Sequence, residues 1–314
     1  MSSSAVRKCW RGERMKGIIA GIKRSAIHDG DGLRTTVFFK GCPLKCIWCH
    51  NPEGIAFKPE IGFYKTKCIG CGSCVTDCKK GAIRMENGLP VTDRSLCDGC
   101  MDCIDYCPGD AREGYGKPWT LAALLDALLR DRAFYKHSGG GVTLSGGECL
   151  AQPEFVIALA KALYDQGISV DIDTCGCVRR EILAQVAPYT DTFLYDIKAI
   201  DPAVHKRCTG RDNKLILENL TWLCREGHRV EIRYPYVPGW NDGECEAIGS
   251  FLKQLPGITK IKVLGYHNFA DGKYDALDLP NTLPDVTVLA EDVDIPVAIL
   301  QKHGLPAING MRCD

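Results

Sequence analysis

Three closely spaced cysteines are the residues best suited to chemistry in this chain. Cys42, Cys46 and Cys49 follow the spacing CxxxCxxC, directly after a segment with the composition of a β-strand. Three thiolates on one tight loop can ligate three irons of a 4Fe-4S cube and leave the fourth iron open to a substrate. Zinc is the competing interpretation, but zinc usually takes CxxC pairs and four protein ligands. The spacing therefore favours a cluster with one reactive iron.

Two further cysteine groups share the spacing CxxCxxCxxxC. Their members are Cys68, Cys71, Cys74 and Cys78, and Cys97, Cys100, Cys103 and Cys107. This duplication is the signature of a two-cluster ferredoxin, in which the fourth cysteine of each run ligates the other cluster. The predicted ligand sets are Cys68, Cys71, Cys74 with Cys107, and Cys97, Cys100, Cys103 with Cys78. The chain is thus expected to hold three 4Fe-4S clusters, and a pair of zinc sites is the alternative for the second and third groups.

The other cysteines and the overall composition set limits on the class of protein. The 314 residues include nineteen cysteines, an odd number without an export signal, which favours metal binding over disulfides. The formal net charge of zero gives no indication of a nucleic-acid partner. No apolar run reaches the roughly 20 residues of a membrane span. The sequence therefore predicts a soluble, cytoplasmic protein with no nucleic-acid or membrane partner, in which most remaining cysteines fill the core.

Apolar segments alternate with amphipathic ones after Pro118, which predicts alternating strands and helices. Thr120 is expected to cap the first helix, and Pro153 to begin another. Short apolar strands between helices predict a parallel sheet with right-handed crossovers. About six such units indicate an α/β fold with a partial (β/α)6 barrel, whose site lies at the carboxyl ends of the strands. A doubly wound open sheet is the alternative.

The composition also divides the chain into segments. Residues 1–15 are Ser-rich and then basic, and we expect them to form a disordered leader; a start at Met15 is the alternative. Residues 61–116 are rich in Cys, Gly, Asp and Lys with few long apolar runs, which predicts an inserted ferredoxin-like module with an inorganic core. Residues 16–60 and 117–314 are expected to form the barrel around this insert.

The sequence around the first cysteines resembles that of the glycyl-radical-enzyme activating enzymes of the radical S-adenosylmethionine superfamily. The superfamily signature is the cysteine triad with an aromatic residue before its last member, here Trp48. Six motifs occur in the family's order, at residues 29–34, 39–53, 145–148, 173–176, 196–198 and 233–239. One departure is Asp31, where the family usually has proline. The resemblance extends from about residue 16 to residue 267.

This resemblance implies an activity. In the family, the methionine part of S-adenosylmethionine chelates the open iron, and an electron from the reduced cluster breaks a carbon–sulfur bond. The resulting 5′-deoxyadenosyl radical takes a hydrogen from a backbone glycine of a partner enzyme. The implied partners are a glycyl radical enzyme and a reductant of flavodoxin or ferredoxin type. Radical chemistry on a small molecule or peptide, or electron transfer alone, are the alternative functions.

The resemblance also assigns site residues. The implied catalytic residues are Cys42, Cys46, Cys49, Lys198, Asp29 and Arg233. The implied contacts to S-adenosylmethionine are Trp48, Cys49, His50, Gly146, Gly147, Glu148, Asp173, Thr174, Asp196, Ile197, Lys198 and His267. Asp173, Thr174 and Asp196 are a possible monovalent-cation site, and Asp29 is expected at the mouth where the partner enters. Taken alone, Gly-Gly-Glu is also consistent with an ordinary turn, and Asp196 with Lys198 is also consistent with a buried salt bridge.

Overall fold

The computed structural model describes residues 15–312. The predicted leader, except for its last residue, lies outside the described residues, as do Cys9 and Cys313. The strands are β1 (Lys16–Ala26), β2 (Arg34–Phe39), β3 (Glu60–Phe63), β4 (Ile83–Glu86), β5 (Leu89–Thr92), β6 (Arg112–Tyr115), β7 (Lys117–Thr120), β8 (Gly141–Gly146), β9 (Ser169–Thr174), β10 (Thr192–Asp196), β11 (Val230–Tyr236), β12 (Ile258–Gly265) and β13 (Ala307–Asn309). The helices are α1 (Ser73–Thr76), α2 (Asp102–Asp105), α3 (Leu121–Leu129), α4 (Arg132–Ser138), α5 (Pro153–Asp165), α6 (Arg180–Val186), α7 (Pro202–Thr209), α8 (Lys214–Arg225), α9 (Cys245–Leu252), α10 (Asp271–Ala276) and α11 (Ala290–Lys302).

One nine-stranded sheet organises the chain, in the order β13-β12-β11-β10-β9-β8-β2-β1-β7. Strands β2 and β8 to β13 run parallel, whereas β1 is antiparallel to both of its neighbours. The strand order follows the chain order from β8 to β13 without the reversal that a doubly wound sheet requires. The α/β fold with a mostly parallel sheet is therefore confirmed, and the order is consistent with a partial barrel.

Side chains alternate between the two faces of the parallel strands: one face is apolar and packs against the helices, and the other is polar. On β8 and β9, Val142, Leu144, Val170 and Ile172 pack in the hydrophobic core with the helices. The residues between them are polar and point to the opposite face, because side chains alternate across a strand. Thr143 pairs in register with Asp171 on that face. The polar face gives the site its charged groups.

Helix boundaries follow local sequence signals. The Thr120 side chain caps α3 by accepting a hydrogen bond from the Ala123 backbone N–H at 3.2 Å, as predicted. Helix α5 begins at Pro153, also as predicted. Strand β13 was not predicted, because three residues give too short a pattern for periodicity to detect.

The cysteine-rich segment forms two short helices and two small antiparallel sheets, β3 with β6 and β4 with β5. Corresponding residues of its two cysteine runs lie 29 positions apart. Gly72 and Met101 correspond in this way and take left-handed φ angles of 78° and 71°. The Ala82 and Ala111 N–H groups also correspond, and they donate to Cys78 Sγ and Cys107 Sγ at 3.4 and 3.2 Å. The duplication seen in the sequence is therefore repeated in the backbone.

Candidate active site and two cysteine-lined cavities

The loop that carries the first three cysteines begins where β2 ends. Backbone hydrogen bonds from Gly41 N to Gly54 O and from Cys42 N to Ile55 O, at 2.8 and 3.0 Å, close the loop upon itself. Ile47 N donates to Cys208 O at 3.0 Å, which fixes the loop against the carboxyl end of α7. These contacts hold the thiols at the carboxyl edge of the parallel strands, the edge expected to carry the site.

A cavity of about 480 Å³ opens beside this loop. Thirteen sequence-predicted residues line it: Asp29, Cys42, Cys46, Trp48, Cys49, His50, Gly146, Gly147, Asp173, Asp196, Lys198, Arg233 and His267. Glu148, Thr174 and Ile197 do not line it. Ser145, Cys175 and Lys262 also line the cavity and were not predicted as site residues. Ser145 and Lys262 lie on strands, where alternation on β8 and β12 is the signal that could have found them.

The thiols in this cavity suit a metal centre. Burial raises the pKa of Cys49 to about 12 and that of Cys46 well above its ordinary range, whereas a hydrogen bond with Cys175 lowers the pKa of Cys42. Buried thiolates are costly unless a cation compensates them, and a bound metal ion deprotonates thiols outright. The three cysteines therefore fit an iron–sulfur cluster, by the chemistry of the donors.

Gly146 and Gly147 allow the strand end to pass directly against the cysteine loop. Gly147 N donates to Phe39 O at 2.9 Å. A Cβ atom on Gly147 would overlap Gly54 O, and one on Gly146 would overlap Phe39 N. Gly146 also has a φ of 115°, which L-residues rarely adopt. The glycine pair is thus required by backbone packing, in addition to any ligand that it contacts.

Glu148 lies behind the cavity wall and is fully buried. Its Oε2 accepts hydrogen bonds from Thr174 Oγ1 at 2.8 Å and from Cys175 N at 2.9 Å, and its Oε1 accepts one from Leu150 N at 3.0 Å. Burial raises its pKa, although these donors act in the opposite direction. The carboxylate joins β9 to the turn after β8, and so it supports the residues that do line the cavity.

Lys198 and Asp196 form an ion pair at the end of β10. Lys198 Nζ donates to Asp196 Oδ2 at 2.7 Å, and the lysine side chain is buried. Burial acts against the ammonium charge, but the Asp196 carboxylate together with the neighbouring Cys46 and Cys175 outweighs it and raises the pKa of Lys198. Strand β10 ends at Asp196, so Lys198 belongs to the following loop. The lysine remains charged and reaches the cavity.

The Arg233 guanidinium lies close to two carboxylates, those of Asp173 and Asp29. Its Nη1 lies 3.3 Å from Asp173 Oδ2, and its Nη2 lies 3.8 Å from Asp29 Oδ1. Burial raises the pKa of Asp173 to about 6, although the Arg233 charge and the Ser145 hydroxyl oppose that shift. Asp29 precedes β2, so its loop lies at the amino edge of the parallel strands, opposite the cysteine loop. The Asp29 side chain nevertheless lines the cavity, and its expected place at the mouth where the partner enters stays a prediction.

His50 and His267 stack beside the cysteine loop, with ring centroids 3.9 Å apart. His50 Nε2 also lies 2.7 Å from His267 O. Burial, together with the neighbouring His267, lowers the pKa of His50 to about 4. Both rings line the cavity, and the neutral pair presents a flat aromatic surface to it.

Two small cavities lie in the cysteine-rich segment. One is lined by Cys97, Cys100, Cys103 and Cys78, together with other residues. The second is lined by Cys68, Cys71, Cys74 and Cys107. These are the two ligand sets predicted from the duplicated spacing, including the exchanged fourth cysteines. The backbone arrangement therefore brings together, around each cavity, four thiols that are suited to one cluster.

The other sequence predictions have different outcomes. Cys149, Cys175, Cys208, Cys224 and Cys245 are buried, as core fillers should be. Asp31, the departure from the family motif, forms ion pairs with Arg229 at 2.9 Å and Lys260 at 3.4 Å. In residues 15–312, no three His, Cys, Asp or Glu side chains are grouped to hold a single metal ion. The monovalent-cation site stays a prediction.

Comparison with known proteins assigns this site to a class. Residues 96–252, half of the chain, match the family model described as the radical SAM superfamily. Residues 67–112 match the model described as a 4Fe-4S dicluster domain. A domain of a pyruvate-formate lyase-activating enzyme from Bacteroides vulgatus, solved by crystallography, is 30% identical, with a TM-score of 0.47 over 55% of this chain and 99% of that chain.

Full-length relatives define the family more closely. The choline trimethylamine-lyase activating enzyme of Oleidesulfovibrio alaskensis is 39% identical over 93% of this chain and 97% of that protein. The trans-4-hydroxy-L-proline dehydratase activating enzyme of Clostridioides difficile is 40% identical over 84% of this chain and 88% of that protein. The chain belongs to the glycyl-radical-enzyme activating enzymes of the radical SAM superfamily. It is an iron–sulfur enzyme that uses S-adenosylmethionine. Among the described residues, every helix is too short or too polar to cross a membrane.

Proposed function

We propose that this chain installs a glycyl radical on a partner enzyme from the cavity beside Cys42, Cys46 and Cys49. The observation that carries the proposal is that these thiols, the Gly146–Gly147 backbone and the Lys198–Asp196 pair line one cavity. When bound there, the cluster and S-adenosylmethionine supply an electron and a 5′-deoxyadenosyl radical, which takes hydrogen from a glycine Cα. The chain's own residues would bind and orient S-adenosylmethionine and would exclude water from the cavity.

The charged and aromatic groups of the cavity suit the parts of S-adenosylmethionine. Lys198 and Asp196 carry opposite charges and can pair with the carboxylate and ammonium of its methionine part. The glycine pair, without Cβ atoms, lets that part approach the backbone. His50 and His267 present stacked rings suited to the nucleoside. Arg233, held by Asp173 and Asp29, also lines the cavity and would meet the partner's glycine segment.

The segment 61–116 is proposed to be a ferredoxin-like module inserted between barrel segments 16–60 and 117–314. The dicluster match and the two cysteine-lined cavities support two 4Fe-4S clusters there, which would bring the total to three. These clusters would carry electrons from a flavodoxin or ferredoxin to the catalytic one. A docking or structural role for the insert remains the alternative. The proposed site of action is the cytoplasm, where thiols remain reduced. Asp173, Thr174 and Asp196 would hold the monovalent cation.

The identity of the partner enzyme is left open by the relatives. Their names include activating enzymes for a choline lyase, an isethionate sulfite-lyase and a hydroxyproline dehydratase. We propose that the partner is a glycyl radical lyase or dehydratase of this kind, which acts on a small polar substrate. The partner's glycine loop would enter through the open side of the sheet.

Electron paramagnetic resonance tests the activity. The reconstituted, reduced enzyme is mixed anaerobically with S-adenosylmethionine and each candidate partner, and a glycyl radical signal is expected on one of them. Glycine-to-alanine substitution in that partner's loop, or Cys46→Ala in this chain, should abolish the signal. Cleavage of S-adenosylmethionine without a radical on any partner would contradict the proposal and favour a different radical substrate.

Iron content tests the cluster count. Replacing Cys42, Cys46 and Cys49 together by alanine should remove about one third of the iron and sulfide and leave two reducible clusters in the insert. Replacing Cys97, Cys100 and Cys103 should instead leave a cluster whose spectrum responds to S-adenosylmethionine. If the first triple variant retained no iron, the insert would not hold clusters.

A further inference from the structure

Arg112, at the start of β6, is a buried cation between the two cavities of the cysteine-rich segment. Its exposed fraction is 4%. It lines the cavity of Cys97, Cys100, Cys103 and Cys78 and also that of Cys68, Cys71, Cys74 and Cys107. Among the described residues, no other side chain appears in both linings. A guanidinium remains charged at any physiological pH. A permanent positive charge therefore adjoins both groups of thiols.

The guanidinium has few protein partners. Its Nη1 donates to Thr92 Oγ1 at 3.2 Å, and its Cζ lies 5.1 Å from the centroid of the Phe63 ring. Its Nε and Nη2 are buried and have no hydrogen-bond partner in the part of the chain that the structure describes. Within residues 15–312, no carboxylate forms an ion pair with it. Two N–H donor groups and one charge are thus left uncompensated by the polypeptide.

Such an arrangement is costly for the protein alone, because a buried charge needs a counter-charge and buried N–H groups need acceptors. The internal repeat has an apolar side chain at the corresponding position of its first half. The corresponding residue 29 positions earlier is Ile83, which is buried at 6% exposure on β4. An apolar side chain therefore occupies the same position in the first half, and the charge at Arg112 needs another explanation.

We infer that Arg112 is a positioning residue that stabilises the reduced state of the iron–sulfur clusters in these two cavities and so raises their reduction potentials. The inference rests on the proposed clusters of the insert. Thiolate-ligated 4Fe-4S clusters carry net negative charge, which increases by one on reduction, so a fixed cation and free N–H donors favour the reduced form. Because Arg112 adjoins both cavities, it also screens the repulsion between two reduced clusters. Electrons from an external donor are then more easily held on the insert.

A redox titration followed by electron paramagnetic resonance tests this role. The background is the full chain with Cys42, Cys46 and Cys49 replaced by alanine, so that only the insert clusters contribute. At the midpoint potential of this background, Arg112→Gln should lower the ratio of reduced to oxidised cluster at least tenfold, which corresponds to about 59 mV for one electron. Arg112→Lys keeps the charge and should shift the ratio less. Arg84→Gln is the matched control, since Arg84 is an exposed arginine of β4 outside both cavities, and should leave it unchanged.

The outcomes distinguish a failure of the role inferred for Arg112 from a failure of the proposal that the insert holds two clusters. If the background protein binds no iron, the insert clusters and the role of Arg112 are both overturned. If Arg112→Gln holds both clusters at unchanged potentials, only the role of Arg112 is overturned. Loss of iron from Arg112→Gln but not from Arg112→Lys would support a requirement for the charge. Loss from both variants would show a requirement for the shape of arginine and would overturn the electrostatic role.

Discussion

Lys198 Nζ lies 2.7 Å from Asp196 Oδ2, at the carboxyl end of β10 and in the wall of the cavity that holds Cys42, Cys46 and Cys49. The sequence left open whether this pair is a structural salt bridge or a ligand site. The structure shows that the two interpretations are compatible, because the ammonium is buried by its neighbours while both side chains still reach the cavity. Lys198 has three N–H donors and can serve Asp196 and a ligand together.

Lys198→Met should weaken S-adenosylmethionine binding by about 10-fold to 100-fold, since a hydrogen bond to a charged group is worth about 1.5–3 kcal/mol. The measurement is a titration of the reduced enzyme with S-adenosylmethionine, followed by the change in the electron paramagnetic resonance spectrum. Lys45→Met is the control, because Lys45 is an exposed residue of the same cysteine loop. If the two variants bound S-adenosylmethionine with equal affinity, Lys198 would not be a contact to this ligand.

Gly147→Ala should destabilise the protein by about 1–3 kcal/mol, because the added methyl group overlaps the backbone of Gly54 and forces a shift. The same shift should reduce the iron bound by the first cysteine loop. Anaerobic chemical denaturation and iron analysis measure the two effects. Gly243→Ala is the matched control, since a Cβ atom there meets no heavy atom within 4 Å. A fully stable, iron-replete Gly147→Ala variant would show that the loop can move away.

Glu148→Gln should lower stability by about 1–3 kcal/mol, because a donor amide replaces a carboxylate oxygen that accepts hydrogen bonds from buried donors. Its effect on S-adenosylmethionine affinity should be smaller than that of Lys198→Met, since Glu148 does not line the cavity. Denaturant midpoints and the spectroscopic titration give the comparison. A large loss of affinity at unchanged stability would instead restore Glu148 as a direct ligand contact.

Asp171 should make stability depend on pH. Burial raises its pKa to about 7, although Arg34 Nη2 lies 3.2 Å away and opposes the shift. The pKa in the unfolded chain is about 3.9, so the folded protein binds more protons between about pH 4 and pH 7. The contribution of Asp171 to the free energy of unfolding therefore falls as pH rises through this window.

Thermal unfolding midpoints measured from pH 5 to pH 7.5 test this dependence. Asp171→Asn should show a smaller fall in the midpoint over this range than the unsubstituted chain, because asparagine does not titrate. The exposed Asp126→Asn variant serves as the control and should retain the original slope. Identical slopes for all three proteins would assign the proton uptake to other groups.

Local patterns predicted much of the site. The cysteine spacings predicted which thiols share a loop, and the duplicated run predicted the exchange of Cys78 and Cys107 between the two sets. The three leading cysteines of each run can be recognised in a sequence because thiolates a few residues apart on one loop can reach the same cluster, whereas the fourth is assigned from the known pattern of two-cluster ferredoxins. The departure at Asp31 was visible as well, but its ion pairs with Arg229 and Lys260 were not, since these partners come from distant strands.

Other predictions depended on distant packing. The order of motifs could not show that Asp29 lies opposite the cysteine loop, because this follows from the antiparallel pairing of β1 with β2. Nor could it show that Glu148 faces away from the cavity, since the direction of that side chain is set by donors on β9.

By itself, the sequence determined the chemistry available to this protein, the family to which it is similar and the alternation of strands and helices, because spacing and periodicity are short-range properties of the chain. Only the tertiary structure decided which of the candidate side chains meet in one cavity and which support it from behind. The tertiary structure also decided that Arg112 adjoins both sets of cysteines and has no carboxylate partner among residues 15–312. These features depend on contacts between segments far apart in the chain, and no local pattern records such contacts.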